Sequence, residues 1–351
     1  MEQEFSKILR DWYRKNGRNL PWRTTRDAYK IWLSEVILQQ TRVDQGLPYY
    51  HRFTDTFPTI LDLANAHEDQ VLRLWQGLGY YSRARNLHAA DKQVRDMFAG
   101  QFPRDYSSIR SLKGVGDYTA AAIASFAFDL PFAVVDGNVF RFLSRFTGDT
   151  TPIDSTSGKK HFSALAAELL DPQHPAEHNQ AIMEFGALHC KPVNPLCETC
   201  PFQFACGALI ENKVGQLPVK EKKQQVRDRW LHYFFVTNGE EVLLRKRTGR
   251  DIWQGLYEFP MTETDSEAAS GSNEALLQQA GVHLSGARIT GHDRLIHLLS
   301  HQRLHAVIRM VETGDLQQEG YLKVPLGRLH EYGLPQLLVK YLRKRGYQQQ
   351  G

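Results

Sequence analysis

The spacing of apolar residues divides the chain into a helical part and a later part that contains strands. Before Cys206, apolar side chains recur at the i, i+3, i+4 spacing of amphipathic helices. This pattern predicts helices over residues 5–13, 29–40, 60–74, 119–128, 161–170 and 178–190. After Cys206, the pattern predicts strands over residues 230–237, 241–247 and 295–312, and a final helix over residues 334–345. The sequence therefore predicts an all-α domain followed by an α+β domain.

A polar, basic segment separates the two predicted domains. Residues 211–228 contain several lysines and arginines together with Gly215 and Pro218, a composition typical of a linker. We therefore predict a helical domain over residues 1–210 and an α+β domain over residues 229–347. The length of 351 residues is sufficient for two separate hydrophobic cores.

The composition is that of an ordinary soluble protein. Hydrophobic residues make up 42% of the chain and charged residues 23%. No apolar run approaches the ~20 residues that cross a membrane, and the N-terminus has no signal-peptide core. We therefore expect a cytoplasmic location, with association to the nucleoid, and no membrane partner. The net charge of +4 permits a nucleic-acid partner but does not require one.

The segment LKGVGDYTAAAIASFAFDLPFAVVDGNVFR places a glycine turn before an alanine-rich helix. Gly114 and Gly116 can adopt positive φ and bring backbone N–H groups close to a partner. At the start of a helix, such groups favour an anion, for example a DNA phosphate. Asp136 follows the helix in the sequence VVDGNV. Taken alone, the G-x-G pattern is weak, and an ordinary helix–turn–helix with a surface aspartate is the better account of it.

Two other stretches allow either a structural or a functional interpretation. Glu35 lies at the edge of the apolar stripe of its predicted helix, and the pattern favours a solvated rim over a partly dry pocket. After the turn Gly77-Leu78-Gly79, the sequence YYSRARNLH puts tyrosines beside arginines, which can stack on bases and hold phosphates. A capped helix with half-buried tyrosines is the commoner outcome for that pattern.

All four cysteines lie in one short stretch, as Cys190-x6-Cys197-x2-Cys200-x5-Cys206. Disulfide bonds are disfavoured because the chain has no secretion signal. A zinc site stays open, although zinc sites more often consist of two separated C-x-x-C pairs. An iron–sulfur cluster needs four thiolates on a loop that wraps it, and the uneven spacing suits that arrangement.

The glycine turn and its following aspartate resemble the hairpin of the helix-hairpin-helix DNA glycosylase superfamily. The cysteine spacing resembles the loop of the endonuclease III/MutY branch of that superfamily. The resemblance implies double-stranded DNA as the partner, with Gly114 and Gly116 at the DNA backbone, and a 4Fe–4S cluster held by the cysteines. It also implies a helical barrel over residues 29–138 and a cluster-bearing lobe formed by residues 1–28 and 139–210. We expect the protein to be a monomer.

The segment SEVILQQT, residues 34–41, is similar to the signature of the MutY-type adenine DNA glycosylases. Glu35 stands at the position of the family's catalytic acid, which would protonate adenine as its glycosidic bond breaks. By the same resemblance, Asp136 would stabilise the oxocarbenium ion, and Asn138 and Tyr118 would orient Asp136 and the developing charge. Endonuclease III relatives have a nucleophilic lysine at the position of Tyr118. Because a phenol cannot form a Schiff base, the resemblance implies a monofunctional enzyme.

The resemblance also assigns residues that would contact the substrate. Trp22 and Arg23 in LPWR match the family segment beside the extruded adenine, and Glu184 would accept a hydrogen bond from the adenine amino group. The target base must leave the stack before it can react. Gln40 and Tyr80 match family residues that enter the duplex and fill the gap.

The second domain resembles the Nudix-like module of the same family. Its sequence GRDIWQGLYEFP, residues 249–260, is similar to a segment of that module. The acidic run that Nudix hydrolases use for metals is replaced by NEALLQQAG, residues 273–281, so we expect no phosphohydrolase activity. The family module reads 8-oxoguanine through a Phe-Ser-His motif, and Leu299-Ser300-His301 stands at that position here.

The sequence thus predicts a base-excision-repair enzyme that removes adenine mispaired with 8-oxoguanine and, more weakly, adenine mispaired with guanine. Two alternatives stay open. One is an endonuclease III-like pyrimidine glycosylase with lyase activity, against which Tyr118 argues. The other is a non-catalytic iron–sulfur protein that binds lesions, against which the presence of both Glu35 and Asp136 argues.

Overall fold

A computed structural model describes residues 2–221, 226–266, 272–284 and 286–347. The chain divides into two compact units, one formed by Met1–Asn65 and Asn86–Lys223 and the other by Ala66–Arg85 and Gln224–Gly351. The domain bounds drawn from the sequence stay a prediction. No helix in the described residues is long and apolar enough to span a membrane.

The chain as far as Ile210 forms helices, without a strand among its described residues. The helices are α1 (Glu2–Asn16), α2 (Ala28–Leu38), α3 (Val43–Thr56), α4 (Ile60–Asn65), α5 (Glu68–Leu74), α6 (Ser82–Met97), α7 (Tyr106–Ser111), α8 (Asp117–Phe128), α9 (Gly137–Thr147), α10 (Thr156–Leu169), α11 (Pro175–Leu188) and α12 (Gly207–Ile210). Short 3-10 helices lie at Pro21–Arg23 and Cys197–Thr199. The predicted all-α region is therefore confirmed.

One predicted helix is wrong. The continuous helix expected over residues 60–74 is replaced by the two shorter helices α4 and α5. The His67 side chain accepts a hydrogen bond from the backbone N–H of Asp69 at 3.3 Å and so caps the start of α5. A side chain that satisfies an otherwise unpaired N–H group favours a new helix start over continuation of the preceding helix.

Small side chains on α8 allow α2 to pack closely against it. The α8 residues Ala120, Ala121 and Ala122 are all buried, and Ile31 of α2 shares an apolar cluster with the last two. Close packing of this kind fixes the relative position of the two helices. It brings the later part of α2, which carries Glu35, to the first turn of α8.

Aromatic rings dominate a second core in the same unit, formed by α1, α9, α10 and α11. The Phe185 ring centroid lies 4.7 Å from that of Phe142 and 5.5 Å from that of Phe202. Phe202 belongs to the loop that carries the cysteines. The loop is therefore anchored in the helical core by burial of a large apolar side chain.

The described residues of the second unit form a mixed sheet of seven strands. Its strands are β1 (Arg227–Thr237), β2 (Glu241–Lys246), β3 (Tyr257–Glu258), β4 (Met261–Thr264), β5 (Arg288–Leu298), β6 (Gln302–Glu312) and β7 (Leu322–Pro325). The order is β3-β2-β1-β6-β5, with β4 beside β1 and β7 beside β2. Only the β1–β6 pair among these is parallel. Helices α13 (Asn273–Gln279) and α14 (Gln336–Lys344) complete the α+β region, which confirms the prediction.

Residues of the predicted linker as far as Glu221 are hydrogen-bonded within the first unit, whereas Arg227 and Asp228 belong to β1. The backbone N–H of Ile153 donates to the carbonyl of Val219 at 3.1 Å. The backbone N–H of Glu221 donates to the Asp154 carboxylate at 2.9 Å. Residues 222–225 of that predicted linker lie outside the described residues.

Candidate active site

A cavity of about 430 Å³ lies in the first unit. Its volume is in the range of ligand-binding pockets. The cavity brings together eight residues predicted from the sequence, namely Trp22, Arg23, Glu35, Gln40, Tyr118, Asp136, Asn138 and Glu184. Tyr80, Ser300 and His301 lie in the second unit.

Glu35 is buried towards the end of α2, with 7% of its surface exposed. The prediction of a solvated rim is therefore wrong, because residues on every side of α2 are buried and not one stripe alone. Burial raises the pKa of Glu35 to about 7; the hydrogen bond from Tyr118 opposes this rise, and the charge of Asp136 adds to it. A carboxyl group with such a pKa retains its proton in a substantial fraction of molecules at neutral pH, as a general acid requires.

Tyr118 lies in the first turn of α8, directly after the glycine turn. Its hydroxyl donates a hydrogen bond to Oε2 of Glu35 at 2.7 Å. The family resemblance implied that Tyr118 orients Asp136, whereas the structure pairs its hydroxyl with Glu35. The contact between α2 and α8 accounts for this pairing, since it places the two side chains face to face.

Asp136 caps the start of α9. Its Oδ1 accepts hydrogen bonds from the backbone N–H groups of Asn138 and Val139, and its Oδ2 accepts one from the Asn138 side chain, each at 2.8 Å. Burial raises the pKa of Asp136, while these donors and the charge of Arg141 oppose the rise. The carboxylate is thus held in one orientation at a helix N-terminus, where the helix dipole favours negative charge.

The amide of Asn138 is itself held by an arginine that also contacts the start of the cysteine loop. Nη2 of Arg141 donates to Oδ1 of Asn138 at 2.9 Å, and its Nε donates to the carbonyl of Cys190 at 2.9 Å. Fixing the amide oxygen in this way directs the amide N–H₂ group towards Asp136. The candidate carboxylate is therefore connected to the cysteine loop through two side chains.

Glu184 of α11 is 1% exposed and lies between two arginines. Arg18 donates to it from its backbone N–H, Nε and Nη2, and Arg23 donates from Nη2, at 2.7–2.9 Å. Burial raises the pKa of this carboxylate, but the two arginines outweigh burial and lower the pKa of Glu184 to about 2. Arg18 was missed by sequence reasoning, because a single arginine before LPWR does not by itself indicate a site. With its acceptor positions filled, Glu184 can bind adenine only after Arg18 moves, so that contact stays a prediction.

The glycine turn between α7 and α8 has positive φ at Gly114 only, whereas Gly116 is extended with a φ of −92°. Gly114 adopts a φ of 76°, and a Cβ there would lie 2.6 Å from the Cβ of Asn86. Gly116 is the N-cap of α8 and supplies no side chain to the first N–H groups of that helix. Both glycines are exposed. A helix start of this kind leaves N–H groups without intrahelical partners, an arrangement that favours an anion.

Two residues predicted to enter a DNA duplex have unusual backbones. Gln40 has a φ of 57° and Tyr80 a φ of 48°, a region that non-glycine residues rarely occupy. Both side chains are exposed. Backbone strain of this kind clusters at functional sites, so it supports a role for both positions without defining that role.

In the second unit, Leu299-Ser300-His301 forms the turn of the β5–β6 hairpin. The backbone N–H of Leu299 donates to the carbonyl of Gln302 at 2.8 Å and closes the turn. The hydroxyl of Ser300 is hydrogen-bonded to the hydroxyl of Tyr80. Two residues that were predicted from separate motifs are thus brought together.

The four cysteines line one small pocket, together with aromatic side chains of the helical core. Nη1 of Arg145 lies 3.5 Å from Sγ of Cys190. Within the described residues, no group of three or more histidine, cysteine, aspartate or glutamate side chains is arranged to hold a metal ion. Four thiols that share one pocket offer the soft sulfur ligands that an iron–sulfur cluster requires.

Comparison with known families assigns both parts of the chain. Residues 33–170 match the family described as HhH-GPD superfamily base excision DNA repair protein. Residues 232–344 match the NUDIX domain family. The resemblance to helix-hairpin-helix glycosylases with a Nudix-like module is therefore confirmed.

Curated relatives resemble the chain over most of its length. The adenine DNA glycosylase of Buchnera aphidicola subsp. Schizaphis graminum (strain Sg) is 32% identical over 345 residues, which cover 96% of this chain and 97% of the relative. The adenine DNA glycosylase of Mus musculus is 35% identical over an aligned length of 355 residues. The alignment covers 86% of this chain and 69% of the relative.

Solved structures share the fold of part of the chain. A thermostable thymine-DNA glycosylase matches with a TM-score of 0.56 and 27% identity, covering 60% of this chain and 97% of that one. An endonuclease III–DNA complex matches with a TM-score of 0.51 and 21% identity, covering 60% of this chain and 98% of that one. At 21% identity, the second match shows the fold alone.

Proposed function

The chain belongs to the adenine DNA glycosylase family, and from that premise we propose that it hydrolyses the N-glycosidic bond of adenine mispaired with 8-oxoguanine in double-stranded DNA. Adenine opposite guanine is the weaker substrate. The observation that carries the proposal is the buried Glu35, whose pKa is raised to about 7, in one cavity with Asp136. The endonuclease III-like alternative is not favoured.

The proposed chemistry follows from the poor leaving ability of adenine as an anion. Glu35, in its neutral form, donates a proton to N7 of adenine while the bond between the sugar and N9 breaks. The bonding electrons stay with the base, and the sugar becomes an oxocarbenium ion that water attacks at C1′, with loss of a proton from the water to the carboxylate that Glu35 has become or to solvent. The carboxylate of Asp136 stabilises this cation by its charge.

Two neighbouring side chains adjust these carboxyl groups. Asn138 donates to Asp136 and holds its orientation. Tyr118 donates to Glu35 and limits how far burial raises its pKa. Because a phenol cannot form a Schiff base, we assign a monofunctional reaction without strand cleavage.

The cavity also contains groups suited to the extruded base. Trp22 offers an apolar ring at the cavity wall, and Arg23 and Glu184, which are hydrogen-bonded to each other, offer a donor and an acceptor to the base once Arg18 moves. We assign adenine binding to these three side chains. Gln40, also in the wall of the cavity, fills the gap left in the duplex.

DNA backbone binding is assigned to the glycine turn at Gly114 and Gly116, whose helix start favours a phosphate. In the second unit, Ser300 and His301 read 8-oxoguanine from the hairpin turn, and Tyr80 enters the duplex beside the lesion. Leu299 replaces the family phenylalanine and supplies a smaller apolar contact. The Ser300–Tyr80 hydrogen bond supports a joint role for these residues.

The cysteine loop is assigned to a 4Fe–4S cluster held by Cys190, Cys197, Cys200 and Cys206. The shared pocket supports this assignment. When bound, such a cluster holds four loop positions together through thiolate ligation. Arg145 then lies beside the Cys190 ligand and its positive charge favours the thiolate.

A single-turnover assay on a duplex with one 8-oxoguanine:adenine pair tests the proposal. Strand breaks that appear only after alkali show a monofunctional glycosylase, whereas breaks without alkali in step with base loss would show a lyase. Binding without any base release would leave only a lesion-binding protein. A thymine:adenine duplex of the same sequence is the matched control and should remain intact.

A further inference from the structure

A buried arginine in the second unit connects the sheet to the turn of the β5–β6 hairpin. Arg229 lies in β1, and 9% of its side chain is exposed. Its Nη1 donates a hydrogen bond to Oε1 of Gln302 at 3.0 Å. Gln302 is the first residue of β6 and directly follows His301. The guanidinium group therefore reaches the base of the turn.

The position of this guanidinium group is fixed by two carboxylates. Nε and Nη2 of Arg229 donate to Glu263 at 2.7 and 2.5 Å, and Nη1 and Nη2 donate to Asp251 at 3.0 and 3.1 Å. With the bond to Gln302, all five N–H donors of the arginine are used. Two bidentate pairs orient the planar group far better than one contact would.

Charge balance does not require the contact with Gln302. Asp251 and Glu263 already surround Arg229, and a second arginine, Arg247, bonds to Asp251 and to the buried Glu258. Arg245 also pairs with Glu258, so three arginines and three carboxylates compensate one another without any neutral partner. The hydrogen bond to Gln302 is thus the contact that extends the network to the turn.

Other hydrogen bonds at the turn involve its backbone and the hydroxyl of Ser300, which pairs with that of Tyr80. The backbone N–H of Leu299 donates to the carbonyl of Gln302 at 2.8 Å, and that of Arg227 donates to the carbonyl of His301 at 3.0 Å. The side chains of Ser300 and His301 are exposed, whereas that of Gln302 is partly buried. Ordering an exposed turn at the moment of binding costs free energy, and a turn that is already ordered avoids that cost.

We infer that Arg229 is a positioning residue for recognition of the base opposite adenine. By fixing Gln302, it holds Ser300 and His301 in the arrangement that contacts this base. The inference rests on the proposed function, in which those two residues read 8-oxoguanine. Asp251 and Glu263 affect the turn indirectly, because they orient Arg229.

The variant Arg229→Lys tests the inference. Lysine keeps the positive charge, but its single ammonium group cannot donate to Asp251, Glu263 and Gln302 in the planar geometry of the guanidinium group. The measured quantity is the ratio of excision rates at low enzyme concentration for 8-oxoguanine:adenine and guanine:adenine duplexes. Loss of one hydrogen bond that orders the turn should lower this ratio about fivefold. The rate at saturating enzyme on the 8-oxoguanine duplex should stay within about twofold, because the groups that break the bond lie in the other unit.

A double-mutant cycle shows whether Arg229 acts through Gln302. Gln302→Leu removes the acceptor, and the double variant with Arg229→Lys should be no worse than Gln302→Leu alone. Gln302→Glu retains an acceptor for the arginine and should keep the ratio near that of the wild type. Additive losses in the double variant, or equal losses in Gln302→Leu and Gln302→Glu, would overturn the inference. The contrast between the two Gln302 variants decides the matter even if Arg229→Lys does not fold.

Two controls separate positioning from other causes. Arg345→Lys makes the same change at another arginine of the second unit, which pairs with Asp293 and not with Gln302, and it should leave the ratio unchanged; a loss equal to that of Arg229→Lys would indicate general destabilisation instead. The double variant Ser300→Ala/His301→Ala tests the proposed function itself. If it lowers the ratio and Arg229→Lys does not, the inference fails and the proposed lesion reading stands. If it leaves the ratio unchanged, the proposed lesion reading fails.

Discussion

The hydroxyl of Tyr118 donates a 2.7 Å hydrogen bond to Oε2 of Glu35. The residue that stands where endonuclease III relatives have lysine is therefore a partner of the proposed general acid. A hydrogen bond to a carboxylate stabilises its charged form and opposes the pKa rise that burial causes. By the family resemblance Tyr118 replaces a nucleophilic lysine, and by its hydrogen bond it acts on the pKa of the proposed acid.

Glu35→Gln should abolish most of the excision activity and keep DNA binding. The amide preserves the shape of the side chain but cannot deliver a proton, so single-turnover excision should fall by ~10²–10⁴. Glu168→Gln, at an exposed position of α10, is the matched control and should react at the normal rate. A near-normal rate for Glu35→Gln would show that the acid lies elsewhere.

The excision rate should also depend on pH through Glu35. The group acts in its neutral form and its pKa is about 7, so the single-turnover rate should fall as pH rises above that value. Tyr118→Phe removes a hydrogen bond that favours the charged form. The fall of the excision rate on the alkaline side of the pH–rate profile should then occur at higher pH. The shift should be less than about one pH unit, because such a hydrogen bond contributes ~1 kcal/mol and one pKa unit corresponds to about 1.4 kcal/mol. If the excision rate of Tyr118→Phe falls at the same pH as that of the wild type, or at a lower pH, the hydrogen bond from Tyr118 does not lower the pKa of Glu35.

The sequence predicted the two-part architecture because helical and strand periodicities differ strongly on either side of the cysteine loop. It did not predict the burial of Glu35, since that depends on α2 being enclosed by its neighbours on all sides. It did not identify Arg18 either, because the hydrogen bonds of Arg18 are to Glu184, which is distant in sequence. The break between α4 and α5 was missed because a single histidine cap outweighed a continuous apolar pattern. Features set by local periodicity were thus accessible, and those set by tertiary enclosure were not.

Tyr118→Lys should gain strand cleavage. A lysine at this position places an amine where the related lyases have their nucleophile, so part of the product should appear as strand breaks without alkali. Borohydride should trap a covalent adduct of this variant. The wild type, measured in parallel, should require alkali for its breaks. Absence of any trapped adduct in Tyr118→Lys would show that the residue does not face the sugar.

The purified protein should be yellow-brown and contain about four irons per chain, as a 4Fe–4S cluster ligated by four thiolates requires. Cys197→Ser should lose the colour and weaken DNA binding, because one ligand of the loop is missing. Iron and zinc contents of anaerobically purified material give the measurement. Stoichiometric zinc in place of iron would reject the cluster.

The last prediction concerns Asp91 of α6, which is fully buried and has no hydrogen-bond donor to either carboxylate oxygen among the described groups. Burial raises the pKa of Asp91 well above its ordinary value. The folded state therefore binds the Asp91 proton more tightly than the unfolded state does. The wild type consequently loses stability as pH rises from the pKa of Asp91 in the unfolded state to its pKa in the folded state.

Asp91→Ala removes this pH dependence of stability. Its gain in unfolding free energy over the wild type should be larger at pH 8 than at pH 5. Asp96→Ala, an exposed aspartate on the same helix, is the control and should show little gain at either pH. The free energy of unfolding is measured by circular dichroism at both pH values. If it depends on pH equally in the two variants, Asp91 is not the source of the pH dependence of the wild type.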